Sequence, residues 1–340
     1  MPGRVTITDV AARAGVAISS VSSALNGRPG VSEQTRLKIV LAAEELGFVP
    51  SVRGKSLAGK KTFAVGLVVN RDPDVLELDP FFGAFINGIE SWIDERDFAL
   101  VLQTSPDAAG TLERYRRLAA GRRVDGVFIN EIEIDDPRVA LVQELGLPAV
   151  GINPDEGFPL PSVREDHRVA IEQLIDHLVT LGHTSIGFVG GPSRFIHSRQ
   201  RETAWRHALE TRGLRPGPLV PGSFTYESGI EAATSMLSVR LRPTAVICAN
   251  DLSALGFMAQ AQHLGFDIPG DLSVAGYDGI QLAEYVRPSL TTVHTRPRWT
   301  GYEAARILLD LIDGVPTTDV DIDPAVLVVR SSTGPAPRDR

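Results

Sequence analysis

The chain has 340 residues, 43% of them hydrophobic and 22% charged, the make-up of a globular protein with room for two or three domains. Its net charge of -8 argues against non-specific nucleic-acid binding by the whole molecule, yet residues 1–61 hold nine Lys/Arg against four Asp/Glu, net +5, and the remainder 25 against 38, net -13. That distribution suits DNA contact by a small basic head on an acidic body. The sequence shows no signal-peptide core and no run of about 18 apolar residues, so a cytoplasmic protein without membrane contact is expected.

In chain order, residues 6–16 read as a short helix that Thr8 caps, with Val10, Ala11 and Ala14 as its apolar face and Gly15 supplying the positive φ that ends it. Residues 18–25 read as a second helix, burying Val16, Val21 and Leu25 and leaving Ile18, Ser19, Ser22 and Ser23 outward. Small polar groups on a free face let a helix enter the major groove without clashing. A third helix follows over 32–46, capped by Ser32, with Leu37, Val40 and Leu41 as its core face and Gly47 as its stop. Residues 51–61 form a short basic segment containing Arg53, Lys55, Leu57, Lys60 and Lys61. Gly54 to Lys61 nearly matches a phosphate-binding loop, but lacks the magnesium-holding Ser/Thr and precedes a strand instead of following one.

These residues resemble the LacI/GalR family of bacterial transcription regulators. The resemblance is carried by Thr8-Asp9-Val10-Ala11, Ala14-Gly15-Val16, Val21-Ser22, Ala24-Leu25-Asn26-Gly27, Val31-Ser32, Thr35-Arg36, Leu46-Gly47-Phe48, Pro50 and Ser56-Leu57-Ala58-Gly59. It implies a helix-turn-helix domain over 1–50 and a hinge over 51–61. Thr8, Ile18, Ser19, Ser20, Ser22, Ser23, Asn26, Ser32, Arg53 and Leu57 would be the DNA contacts. Leu57 would wedge into the central base step of the minor groove, with the hinge folding on binding. Three residues depart from the pattern: Ala17 where a capping Ser is usual, Ser23 where Arg is usual, and Gly54 where Ala is usual. The first loses a cap oxygen, although Ser19 or Ser20 could start the helix later; the second loses the bidentate guanine contact; the third weakens the hinge helix.

From residue 63 short apolar runs alternate with amphipathic stretches. Strands are expected over 63–69, 99–103, 127–130, 149–152, 186–189, 245–249 and 272–275, and helices over 82–96, 169–181, 200–212 and 253–264. This alternation means doubly wound parallel sheets in two lobes, with ligands at the carboxyl ends of strands. The one cysteine, Cys248, sits in an apolar run, excludes an internal disulfide and reads as a buried structural thiol.

The resemblance continues to about residue 334 through Asp79-Pro80-Phe81-Phe82, Gly88-Ile89-Glu90, Val124-Asp125-Gly126, Leu181-Gly182-His183, Gly190-Gly191-Pro192, Ala249-Asn250-Asp251, Ala254-Leu255-Gly256, Gly276-Tyr277-Asp278 and Leu290-Thr291-Thr292-Val293. It implies an effector-binding body of the type I periplasmic-binding-protein fold over 62–334, with a tail over 335–340. Its N-lobe would span about 62–161 and 291–322, and its C-lobe about 162–290 and 323–334. Phe81, Phe82, Asn130, Asp166, Arg201, Phe224, Asn250 and Asp278 would be effector contacts, Arg201 and Asp278 foremost. Structural readings stand beside some of these: Phe82 as core, Asp251 as a helix cap, Trp205 as either core or cleft rim, His183 as structural.

The function so implied is a ligand-responsive regulator, a repressor binding a pseudo-palindromic operator as a homodimer. A small-molecule effector, a sugar before a nucleoside or other metabolite, would set its affinity, with no cofactor and no metal. A solute-binding receptor is the alternative, opposed by the head and the missing signal peptide. An enzyme is opposed by the absence of a nucleophile elbow, a paired metal-ligand motif or a dinucleotide fingerprint.

Overall fold

The computed structural model describes residues 5–25, 29–48, 61–71, 79–240 and 242–337. The chain divides into two compact units, Met1–Phe63 and Ala64–Arg340. The expected DNA contacts Asn26, Arg53 and Leu57, and most of the basic hinge, lie outside the described residues.

The first unit contains three helices, α1 (Ile7–Ala14), α2 (Ile18–Leu25) and α3 (Glu33–Leu46). Thr6, not Thr8, holds the cap position of α1. The Asp9 carboxylate turns back to accept from Thr6 N at 2.8 Å and Thr6 Oγ1 at 2.7 Å, which leaves Thr8 exposed inside the first turn. These bonds hold Asp9 below the usual carboxylate range. Gly15 ends α1 at φ +62°, as expected. Helix α2 begins at Ile18 with Ala17 O accepting from Ser20 and Val21, so the missing cap oxygen does not delay its start. Ser32 caps α3, its Oγ accepting from Thr35 N at 3.3 Å.

The core of this unit corrects one expectation. Leu37 and Leu41 are 61% and 55% exposed, Val40 is half-buried, and the face that packs inward is Ile39, Ala42 and Ala43. Side-chain size misled. Ile39, Ala42, Ala43 and Leu46 share one stripe at a period of 3.6, and the small alanines let α3 approach α1 and α2 closely. On α2 the buried residues are Val21 and Ala24, while Val16 and Leu25 are only half-buried.

The second unit is built on two six-stranded sheets. Strands β1 (Ala64–Val69), β2 (Ala99–Thr104), β3 (Gly126–Ile129), β4 (Ala149–Ile152), β5 (Ser162–Glu165) and β11 (Val320–Ile322) form the N-lobe sheet in the order β11-β5-β4-β3-β1-β2. All its pairings are parallel. Strands β6 (Ile186–Val189), β7 (Leu219–Val220), β8 (Ala245–Cys248), β9 (Ser273–Asp278), β10 (Thr291–His294) and β12 (Val326–Val328) form the C-lobe sheet in the order β12-β10-β9-β8-β6-β7. There β12 pairs antiparallel with β10. Central strands such as β1, β3 and β8 are buried along their whole length, as continuous apolar runs covered on both faces must be. The lobes exchange chain three times. Because β5 stays in the first sheet and β10 in the second, the crossings fall a few residues after 161 and 291; the third lies between Ile322 and Val326.

Helices cover both faces: α4 (Pro80–Ile93), α5 (Ala108–Ala120), α6 (Pro137–Glu144) and α12 (Pro297–Ile312) in the N-lobe, and α7 (His167–Thr180), α8 (Ile196–Glu210), α9 (Tyr226–Leu237), α10 (Asp251–His263) and α11 (Leu282–Tyr285) in the C-lobe. Glycines allow α4 and α12 to touch backbone to backbone, since a Cβ at Gly88 would stand 1.9 Å from Arg298 O. Trp205 proves to be core: it is fully buried and stacks on Phe188 at 5.3 Å. His183 is structural, bonded to Thr244 Oγ1 at 2.9 Å and to Ser273 Oγ and Gly334 O at 3.0 Å. Cys248 is buried, and burial pushes its thiol well up.

Candidate functional site

Two regions carry the functional chemistry. In the head, Ile18 is 48% exposed and Ser19 is exposed, while Ser20, Ser22 and Ser23 are half-buried along α2. A large apolar side chain left in water at the start of a helix beside short hydroxyls fits an edge that reads bases. The far end of α2 is closed by Arg36, which donates to Ala24 O at 2.6 Å. Ser32 is exposed, and its oxygen is already engaged as a cap.

In the body, six of the eight expected effector residues converge. Phe81 and Phe82 from the start of α4 face Arg201 of α8, Phe224, Asn250 and Asp278 across a cavity of about 50 Å³. Both lobes contribute, and Asn250 and Asp278 sit just past the carboxyl end of β8 and at that of β9, where sheet topology opens a crevice. Arg201 is 6% exposed; its Nη1 donates to Ala249 O at 2.6 Å and lies 3.4 Å from Asp278 Oδ1. Its guanidinium carbon is 4.0 Å from the centre of the Tyr277 ring. Arg201 Nε has no hydrogen-bond partner among the described residues. Burial drives Asp278 well above the usual carboxylate range against the pull of Arg201. A carboxyl in that condition both donates and accepts, as a hydroxyl ligand requires.

Asn250 is more committed. It caps α10 by accepting from Ser253 N at 3.0 Å and donates to Phe224 O at 2.8 Å, so it holds Phe224 in place. The cap is therefore Asn250 and not Asp251. Asp251 ties sheet to helix by accepting from Ile280 N at 2.8 Å and from Thr292 Oγ1 at 2.5 Å. Glu131, Phe224 and Asp278 take left-handed backbone angles, with φ of +47°, +65° and +111°. Three non-glycine residues in that region around one cavity mark backbone held against its preference, at about 1–3 kcal/mol each, which surrounding structure sustains at ligand sites.

The remaining two expected residues stand apart. Asp166 caps α7, accepting from Arg168 N at 2.8 Å, and lines a second interlobe groove of about 670 Å³ with Glu165, His167 and Gln200. Asn130 is 4% exposed with neither amide atom partnered among the described residues, and lines neither space.

Several residues of the site were not foreseen. Arg71, Asp79 and Glu131 line the smaller cavity from the N-lobe. Arg71 follows β1 and Glu131 follows β3, so the rule that ligands gather at strand carboxyl ends would have found both. Desolvation raises Asp79 and Glu131 more than Arg71 lowers them. Glu165, one residue before the expected Asp166, is 8% exposed and pushed up to about 7 by burial, against the attraction of Arg201 and Arg296. His167 bonds Tyr277 Oη at 2.8 Å, and burial holds it well below the usual histidine value. On the C-lobe wall Phe195, His197 and Phe224 form a stack with ring centres 5.5 Å apart.

The lobes also meet through backbone. Glu133 and Phe195 form an antiparallel bridge, flanked by Ile196 N to Ile132 O at 2.9 Å and Ile134 N to Arg194 O at 3.2 Å. Arg194 adds an ion pair to Glu133 at 3.1 Å.

Residues 6–51 match the family model for bacterial regulatory proteins of the lacI family, and residues 175–333 match that for a periplasmic binding protein-like domain. The HTH-type transcriptional regulator CelR of Thermobifida fusca is 33% identical over 322 residues, 93% of this chain and 94% of that protein. The HTH-type transcriptional repressor PurR of Photobacterium profundum is 31% identical over 90% of this chain and 92% of its own. Among solved structures, a complex of transcriptional regulator CelR with cellobiose superposes with a TM-score of 0.75 at 32% identity, covering 97% of this chain and all of that one. The lac repressor dimer bound to operator and the anti-inducer ONPF superposes with a TM-score of 0.84 at 28% identity, covering 98% of this chain and 100% of that one.

Proposed function

Because the chain belongs to the lacI family of bacterial regulatory proteins, a ligand-responsive DNA-binding regulator and not an enzyme, we propose that it is a repressor whose operator affinity is set by a neutral saccharide held between the lobes. The observation that carries this reading is the convergence of Phe81, Phe82, Arg201, Phe224, Asn250 and Asp278 from both lobes on one cavity. An arginine and a raised carboxyl pair with ligand hydroxyls, and aromatic faces pack on sugar C–H groups. A relative of similar length is known in complex with cellobiose, which supports a saccharide.

On the DNA side, two heads of a homodimer would read the half-sites of a pseudo-palindrome in the cytoplasm, where operators are. Ile18 would meet thymine methyl groups and Ser19 a base edge. Thr8, Ser20, Ser22, Ser23, Asn26 and Ser32 would complete the contacts, with Arg53 on phosphate and Leu57 in the central step. Bending the site would cost about 1–6 kcal/mol, offset by the contacts it permits. The effector would act by favouring one lobe arrangement over another.

The experiment is operator selection from a random DNA pool with the full chain, followed by affinity on the winning sequence with and without each of a panel of saccharides. A palindrome whose affinity one saccharide changes at least tenfold supports the proposal. No enriched sequence under any condition overturns it. Leu57→Ala isolates the wedge, and undiminished operator affinity would remove that part of the mechanism.

A further inference from the structure

The smaller interlobe cavity, where the expected effector residues converge, has less room than a metabolite needs. Its volume is about 50 Å³, whereas pockets for small ligands run to about 300–1,000 Å³. The side chain of Arg71 lies in this space. It leaves the N-lobe just after β1 and reaches across to the C-lobe. Its guanidinium carbon stands 5.3 Å from the ring centre of Phe224 and 5.8 Å from that of Phe195, with Phe82 of its own lobe at 5.7 Å. Nη2 is ion-paired with Glu131, and Nη1 lies 3.7 Å from Asp79 Oδ2. The Arg71 side chain is 8% exposed, and Nη1 has no hydrogen-bond partner among the described residues. A cation set among three aromatic rings and two carboxylates is the arrangement by which proteins capture guanidinium and ammonium ligands. Here the captured group belongs to the chain.

We propose that Arg71 is a built-in occupant of the effector cleft, a surrogate ligand that bridges the lobes and that an effector must displace. This rests on the reading of the cleft as the effector site, and it narrows the effector's chemistry. When the guanidinium leaves, Glu131 and Asp79 lose their buried partner, a costly state unless the incoming molecule brings donors of its own. The rings left bare accept a C–H face or a cation. The effector is therefore donor-rich and neutral or cationic, a polyol or amino-bearing molecule. A phosphorylated or carboxylated ligand would meet Glu131 and Asp79 with Arg71 displaced and only Arg201, already engaged with Asp278 and Ala249 O, as a counter-cation. The same exchange couples occupancy to lobe position, because the group displaced is one that touches both lobes.

The test is chemical rescue in the full chain. Arg71→Ala leaves a space shaped for a guanidinium, and Arg71→Lys keeps a cation in it. Calorimetric titration with methylguanidinium is expected to show millimolar binding to Arg71→Ala and at least tenfold weaker binding to the wild type and to Arg71→Lys. Should the alanine variant not fold, Arg71→Gln serves with the same expectation. Cellobiose, used as the saccharide probe, should bind Arg71→Ala at least threefold more tightly than the wild type. Methylguanidinium binding that is no better in the variant than in the wild type overturns the proposal. So does weaker cellobiose binding in the variant, which would make Arg71 a residue that grips the ligand. If cellobiose binds neither protein while methylguanidinium binds only the variant, cellobiose is excluded as the effector and the surrogate stands.

Discussion

The head and the interlobe cleft solve recognition in opposite ways. The outward face of α2 carries Ile18 and a run of serines, with no charged side chain along Ile18–Leu25. The cleft packs Arg71 and Arg201 against Asp79, Glu131 and Asp278, all buried or nearly so. A surface that meets water until DNA arrives gains most from shape and small polar groups, since phosphate contacts supply affinity from elsewhere in the head. In the cleft the charged groups are buried, so each is set by its neighbours and by the chain's own arginines. The same substitution should therefore have unlike effects in the two places.

The largest contrast is expected for arginine to methionine. Arg201→Met strips Ala249 O of its buried charge-assisted donor and should destabilise the body by about 3 kcal/mol in denaturant unfolding. Arg13→Met removes an exposed pair to Glu45, with side chains 54% and 56% exposed, and should change stability by less than about 1 kcal/mol. Equal losses would erase the distinction. Next in size, Ser23→Arg should add a guanine preference at one position of each half-site, worth about 1–3 kcal/mol when binding is compared across base substitutions. An unchanged preference would place Ser23 away from the bases.

A smaller effect concerns pH. Burial raises Glu165 to about 7, so the folded protein binds a proton that the unfolded chain has released above its ordinary carboxylate value. Stability from this group is present at low pH and is lost as pH rises from about 4.5 through 7. The thermal midpoint should fall across that window, and Glu165→Gln should flatten the fall. A slope identical in wild type and variant would assign the titration elsewhere. The smallest effect is expected for Ala17→Ser, which restores a cap oxygen at the start of α2 and should stabilise the head by about 1 kcal/mol, read as slower amide exchange along that helix.

The sequence made the architecture legible because its signals were local. Gly15 and Gly47 stop their helices where expected, and the buried strands stand out as unbroken apolar runs such as Ala245–Cys248. Errors arose where the deciding contact was distant or small. Leu37 and Leu41 outweighed Ala42 and Ala43 by size, yet the alanines are the packed face. Asp166, expected as an effector contact from the resemblance, lines the larger groove, while its neighbour Glu165 is the buried one. Arg71 was invisible for another reason: its partners Glu131, Phe195 and Phe224 are remote in sequence and meet it only when two sheets are brought together.

The central claim, that a ligand in the interlobe cleft governs DNA binding by the head, is tested most directly by one titration. Operator selected from a random pool is bound by the wild type and by Arg201→Met while a saccharide that acts on the wild type is added. The account predicts that the saccharide shifts operator affinity at least tenfold in the wild type and leaves the folded variant's affinity unchanged. An equal shift in both proteins would contradict it and move the effector site away from Arg201.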